Sequence, residues 1–218
     1  MSTTNAPSPA DERDLVAALR RGDEQAFSIL VETYHGSLVR VAQTFVRDHA
    51  AAEEVAQEAW IGVMRGIDRF RGDASLKTWI FRILTNRAKS YAARTPRAIP
   101  FSALSPADDE PSVDPERFLG DDHPVWPGHW ASPPSSWESL PEERLLAGET
   151  MDCIKDTIAT LPELQQQVVT LRDVEGWGSD EVCDLLQVTE TNQRVLLHRG
   201  RSKIRAALET YFASAQTA

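Results

Sequence analysis

Residues 179–205 read SDEVCDLLQVTETNQRVLLHRGRSKIR, and the architecture of the C-terminal half follows from this stretch. Ser179 is a helix-capping residue type ahead of apolar residues at helical spacing, which predicts a short helix from Asp180 to Leu186. Gln187-Val188-Thr189-Glu190 interrupts it as a turn of three or four residues. A longer helix then runs to about Phe212, with Leu197, Ile204, Leu208 and Tyr211 on its inner face. Short helix, tight turn and longer basic helix is the helix-turn-helix arrangement, whose second helix enters the major groove with its first turns. Those turns offer Thr191, Asn192, Gln193 and Arg194; Asn and Gln can bond adenine edges, and Arg can fork onto guanine. His198, Arg199, Arg201, Lys203 and Arg205 follow at positions suited to phosphates, which orient a helix without carrying sequence information. A basic helix is often only a solvated surface. Here the turn, the cap and the absence of any acid from Asn192 to Arg205 favour DNA.

Upstream of this unit, one helical pattern carries Leu145, Leu146, Met151, Ile154 and Ile158. Pro162 suits a first helical position and opens another with Leu164, Val168 and Leu171. Residues 98 to about 140 differ in kind. They hold eight prolines and eight acids against the single base Arg117, a composition that can neither keep a helix nor build a core. Trp126, Trp130 and Trp137 in this segment either tack it onto a domain surface or dock into a partner's groove.

The N-terminal part reads as four helices. The first spans about Asp14 to Arg20, and the second carries Phe27, Leu30, Val31, Tyr34, Leu38, Val41 and Phe45, with an interruption expected near Gly36. Asp48 caps a third, with Glu53 and Glu54 early in it, where the helix dipole favours acids. Its buried side is expected to hold Val55, Ala59 and Val63, with Trp60, Met64 and Ile67 on an adjoining strip. Phe70-Arg71-Gly72-Asp73-Ala74 breaks the pattern as a loop. Ser75 caps a fourth helix, with Leu76, Trp79, Ile80, Ile83 and Leu84 on one side, ending before Pro96.

Hydrophobic residues make up 41% of the 218, and the net charge of −10 argues against a protein that simply coats DNA. The charge is unevenly laid out. From Arg65 to Arg97 there are nine Lys or Arg against Asp68 and Asp73 alone. Local basic faces on an acidic chain imply DNA contact that needs a partner or a conformational release. The start, MSTTNAPSPADERD, lacks the order of a signal peptide, and no apolar run approaches bilayer length, so a cytoplasmic protein with no membrane insertion is expected. Cys153 and Cys183 read as small core residues of a reducing compartment rather than a disulfide or metal pair.

Two motif sets carry a resemblance to a known family. In the C-terminal part they are Leu161-Pro162-Glu163, Val168 through Gly176, Glu181-Val182 to Leu185-Leu186, and Leu197-His198-Arg199-Gly200-Arg201. In the N-terminal part they are Gly22-Asp23 to Ala26-Phe27, Ala52 through Glu58, and Phe70 through Ile80. Together, in this order and over about two-thirds of the chain, they resemble the extracytoplasmic-function sigma factors of bacterial RNA polymerase. The resemblance implies an all-α fold of two helical domains, a sigma region 2-like bundle and a sigma region 4-like helix-turn-helix, joined by a long acidic Pro-rich linker. The corresponding ranges are a tail at 1–10, region 2 at 11–97, the linker at 98–140, region 4 at 141–213 and a tail at 214–218.

It further implies a transcription-initiation factor with no catalytic residues, metal or cofactor of its own. Glu54, Gln57 and Glu58 would bind the clamp helices of the polymerase largest subunit, and the flap would be a further contact on polymerase. Phe70, Arg71, Lys77, Arg82, Asn86, Arg87 and Lys89 would open the −10 promoter element and hold an unstacked base, with Phe70 as a stacking platform. Trp79 is read as core, since its spacing puts it on the apolar face. The −35 element would be read by Thr191, Asn192, Gln193, Arg194, Val195, His198, Arg199, Arg201 and Lys203. An anti-sigma protein would mask these faces until a signal arrives. Within the reading helix, Gln193 stands where the family usually has an apolar residue, and Val195 and Leu196 where polar or basic ones are common. Either the helix is turned slightly or those apolar groups touch thymine methyls.

Rival readings explain less. A helix-turn-helix regulator acting without polymerase leaves the Phe70–Ile80 motif unexplained. A decoy that holds polymerase without promoting initiation is separated from a working sigma factor by run-off transcription. An enzyme would need a placed acid–base pair or a phosphate loop, and neither is found. His123 and His129 beside Asp121 and Asp122 have metal-binding residue types in a proline-rich setting without rigid support.

Overall fold

The computed structural model describes residues 9–46, 48–94 and 148–217, and these form helices joined by short turns. The acidic segment 98–140, with its tryptophans and histidines, lies outside the described residues, as do Leu145 and Leu146.

The N-terminal group consists of α1 (Pro9–Arg20), α2 (Glu24–Gln43), α3 (His49–Gly66), a 3-10 turn (Ile67–Arg69) and α4 (Leu76–Arg94). Asp23 starts α2 by accepting from the backbone N–H groups of Gln25 at 2.9 Å and Ala26 at 3.1 Å. The expected interruption at Gly36 does not occur; α2 runs through it unbroken. Buried Leu30, Tyr34, Leu38 and Val41 anchor the helix on both sides of Gly36, and that packing outweighs the ~1 kcal/mol a mid-helix glycine costs. Asp48 caps α3 at Ala50, and Ser75 caps α4, its Oγ accepting from Thr78 N–H at 3.1 Å. Met64 departs from the reading given above: it is 57% exposed, because Val63 and Ile67 fill the inward positions around it.

Between α3 and α4 the Ile83 side chain packs against the bare backbone of Gly62, where a Cβ would stand 2.8 Å from Ile83 Cγ2. His35 ties α2 to α3. Its Nδ1 accepts from Trp60 Nε1–H at 3.2 Å, leaving Nε2 to face Glu53 at 3.3 Å.

The C-terminal group consists of α5 (Gly148–Thr160), α6 (Glu163–Val169), a π-helical turn (Thr170–Val174), α7 (Ser179–Leu186) and α8 (Glu190–Thr217). Pro162 holds the cap position of α6, one residue earlier than its expected place as first helical residue. At α7 the cap is Gly178 rather than Ser179: its N–H donates to Glu181 Oε2 at 2.9 Å, and the Ser179 hydroxyl is used elsewhere. Gln187, in the left-handed conformation at φ 60, ends α7. Thr189 Oγ1 then accepts from Asn192 N–H at 3.2 Å and caps α8. Helix α8 packs across α5 and α6, and Gly200 sits against Val169 of α6, with no room for a Cβ.

Candidate nucleic-acid interface

On α8 the reading turns are split between two faces. Thr191, Asn192, Arg194, Val195 and His198 point outward, and Val195 is 41% exposed. Gln193 does not join them. It is 1% exposed, and its Oε1 accepts from the Ser179 hydroxyl at 3.1 Å, on the same inward stripe as buried Leu196 and Leu197. The expectation that Gln193 touches a base is therefore corrected: three- and four-residue spacing to those leucines carries it into the helix-turn-helix seam. The same rotation turns Leu196 inward and leaves Val195 available to a thymine methyl.

The cations of α8 are held differently from one another. Arg194 pairs with Glu190 one turn earlier, at 2.5 Å, and its side chain is 73% exposed. Arg201 forks onto Asp173, with Nε–Oδ2 at 2.9 Å and Nη2–Oδ1 at 2.6 Å. That hydrogen bonding holds the Arg201 pKa above the ordinary guanidinium value. The pair fastens α8 to the π-helical turn. Sequence spacing assigned Arg201 to phosphate alone. Arg199 and Lys203 are half-buried, and Arg205 contacts Glu209 at 3.3 Å.

In the N-terminal group, Arg71, Asn86, Arg87 and Lys89 are exposed along the loop and α4. Phe70 is 8% exposed and lies with its ring 5.2 Å from that of Trp79, so in this conformation it is core rather than an open stacking platform. Trp79 packs beneath Gly66, in keeping with its reading as core. The loop between Phe70 and Ser75 is clamped at both ends by α1, which the sequence reading did not foresee. Arg20 donates to the carbonyls of Phe70 at 2.5 Å and Ile67 at 3.4 Å, and Glu12 Oε1 accepts from Leu76 N–H at 2.9 Å.

Glu54 and Gln57 are exposed and Glu58 is half-exposed on the outer side of α3. Four residues beyond Gln57 stands Ile61, 50% exposed, which gives this acidic face an apolar end. No group of three or more His, Cys, Asp or Glu among the described residues is arranged to hold a metal ion.

The two groups of helices meet. Trp177, 1% exposed, sets its ring 4.8 Å from Phe81 of α4, edge to face, while Lys77 Nζ stands 4.4 Å over the same indole. Burial lowers the Lys77 pKa, opposed by the nearby carboxylates of Glu181 and Glu175. Around this contact Arg82 meets Asp184 at 2.6 Å, Arg40 meets Glu175 at 2.7 Å, and the Thr78 hydroxyl donates to Glu181 at 3.4 Å.

Comparison with known proteins agrees with this layout. Sigma-70 region 2 matches residues 30–98, and Sigma-70, region 4 matches residues 151–204. The RNA polymerase sigma-H factor of Pseudomonas aeruginosa is 32% identical over 91% of this chain and 94% of its own length. The chain belongs to the extracytoplasmic-function sigma factors. The ECF RNA polymerase sigma-E factor of Escherichia coli K12 is 29% identical over 87% of this chain and 90% of its own. Two solved structures share the fold. CnrH in complex with the cytosolic domain of CnrY gives a TM-score of 0.55 at 18% identity, covering 91% of this chain and 97% of that one. The sigma factor RpoE in complex with the anti-sigma factor NepR from Bartonella quintana gives 0.54 at 17%, covering 84% and 96%. As a sigma factor the protein is a transcription-initiation factor that acts with RNA polymerase and promoter DNA, not an enzyme. No helix among the described residues is long and apolar enough to cross a membrane.

Proposed function

We propose that the two domains of this sigma factor, residues 11–97 and 141–213, divide promoter reading between them. The outer face of α3, with Glu54, Gln57, Glu58 and Ile61, binds the clamp helices of the polymerase largest subunit. The loop Phe70–Ser75 and α4 hold the opened −10 strand through Arg71, Lys77, Arg82, Asn86, Arg87 and Lys89. Helix α8 reads the −35 element through Thr191, Asn192, Arg194 and Val195, and His198, Arg199 and Lys203 serve the phosphates. The segment 98–140 connects the two and, being acidic, suits a polymerase channel shaped for nucleic acid. An anti-sigma protein would cover these faces until release.

The observation that carries this reading is the outward placement of Thr191, Asn192, Arg194 and Val195 at the start of a capped helix-turn-helix, in the same chain as a loop that carries Arg71 and is clamped by α1. Reconstitution with core polymerase and run-off transcription on a genomic fragment library tests it. Promoter-specific transcripts sharing paired −35 and −10 sequences are expected. Charge reversal at Glu54 and Glu58 should weaken core binding with helicity intact; unchanged affinity removes those residues from the interface.

A further inference from the structure

We propose that α1 is a positioning element for −10 recognition: Glu12 and Arg20 fix the two ends of the Phe70–Ser75 loop, so that it meets the unstacked base in one conformation. This rests on the assignment of that loop to the −10 strand made above. Glu12 and Arg20 are about two turns apart on α1, on the order of 12 Å at 1.5 Å per residue. Arg20 donates to the Phe70 carbonyl at 2.5 Å and to the Ile67 carbonyl at 3.4 Å, and so grips the peptide that leads into Arg71. At the other end Glu12 Oε1 accepts from Leu76 N–H at 2.9 Å, where α4 begins and one residue before Lys77. Between the two grips Arg71, Gly72, Asp73 and Ser75 are exposed. Gly72 takes φ 78 there, a left-handed conformation that glycine adopts without side-chain strain.

Packing already anchors both ends of the loop. The Phe70 ring lies on Trp79, Leu76 is 2% exposed, and Ser75 Oγ accepts from Thr78 N–H. What α1 adds is restraint on the exposed residues between those anchors. Holding a base out of the stack is unfavourable, and contacts ordered beforehand offset more of that cost than contacts ordered on binding. A carboxylate beside a strand-holding loop also repels phosphates, so the charge of Glu12 works against raw affinity. Its accepting oxygen is what serves recognition. The two contributions separate by substitution, because Glu12→Gln keeps an acceptor for Leu76 N–H and Glu12→Ala does not.

The test uses the full chain bound to core polymerase, on a promoter recovered by run-off transcription and prepared as a fork with its −10 non-template strand single-stranded. Single abasic sites are placed along that strand. In the native chain, the abasic site that weakens binding most marks the captured base. Glu12→Ala combined with Arg20→Ala should bind the intact fork about tenfold more weakly, the size of one lost base contact. On the fork that is abasic at the captured position, the same chain should match the native one. Glu12→Gln should keep the native response to the abasic site. Equal weakening of the doubly substituted chain on both forks would mean a lost phosphate contact or a general loss of fold, and overturns the inference. Native affinity on the intact fork overturns it as well. So does Glu12→Gln behaving as Glu12→Ala, which would move the effect from the acceptor to the charge. Native binding indifferent to every abasic site would instead remove base capture by the loop, and absence of native transcripts would sink the sigma reading; each takes the inference with it. If the doubly substituted chain loses helicity, Arg20→Ala alone, at an exposed residue, decides by the same comparison.

Discussion

Gln193 and Arg194 are neighbours in sequence with opposite surroundings, one buried against Ser179 and the other exposed on Glu190. Gln193 also keeps a buried Nε2 without a hydrogen-bond partner. Replacing it with Ala removes the bond to Ser179 and leaves a cavity, so Gln193→Ala should lower unfolding stability by about 1–3 kcal/mol. Its promoter preference should match the native protein's. Arg194→Ala should do the reverse, with stability within about 0.5 kcal/mol of native and a relaxed −35 sequence. Chemical denaturation combined with selection of −35 sequences checks both, and a shifted preference in Gln193→Ala would return that residue to the interface. The helix-turn-helix itself was legible from Ser179 to Arg205, because capping chemistry and leucine spacing are local. The inward turn of Gln193 was not read, since an amide suits a base edge and a buried seam equally well. Its place among apolar residues of the family was the available signal. Phe70 shows the same limit: an aromatic ring beside Arg71 suits stacking, but Trp79 lies close enough to take it into the core.

At the level of elements, two glycines in helix interiors should respond oppositely to Ala. A Cβ on Gly200 would stand 2.5 Å from Val169 Cγ2, inside the α6–α8 packing. Overpacking there should cost about 1–3 kcal/mol. At Gly36 the nearest atom is the Nη1 of the flexible Arg40 side chain, 3.4 Å away. Gly36→Ala should therefore stabilise by about 0.5–1 kcal/mol, the usual gain in a helix interior. Thermal unfolding of both variants tests the contrast, and a destabilised Gly36→Ala would mean that α2 needs freedom there. The expectation of a break at Gly36 weighed local propensity alone, whereas the packing of α2 on α3 comes from residues distant in sequence. The clamp of α1 on the Phe70–Ser75 loop was hidden for the same reason, since Glu12 and Leu76 are 64 residues apart. Glu12→Ala combined with Arg20→Ala should speed amide hydrogen exchange at residues 70–76 and leave α5 to α8 unchanged. Native protection at the loop would show that the clamp does not hold it.

At the scale of the whole molecule, the sequence marked two basic faces on an acidic chain but could not place one domain against the other. Trp177 stands in a short turn whose contacts depend on the fold of both halves. The surrounding charges invite an electrostatic account of the contact between the two groups of helices, but apart from Glu175, whose side chain is 6% exposed, they stand open to solvent. Arg82 and Asp184 have side chains 43% and 63% exposed, and such pairs contribute about 0–1 kcal/mol. A tryptophan buries about 150–250 Å², and at ~25 cal/mol per Å² its burial is worth several kcal/mol as an upper bound shared between its own domain and α4. The apolar contact should thus dominate, with the ion pairs setting register. Raising salt from about 0.1 M to about 1 M shortens the screening length from about 10 Å to about 3 Å. A bis-maleimide bridge between Arg40→Cys and Glu175→Cys, placed where the native pair meets at 2.7 Å, should change little in yield over that range in the chain that retains Trp177. In the same chain with Trp177→Ala, what remains of the contact is electrostatic, and the yield should fall as salt rises. A bridge that forms in low salt and disappears in high salt with Trp177 present would transfer the main contribution to this contact from the indole to the ion pairs.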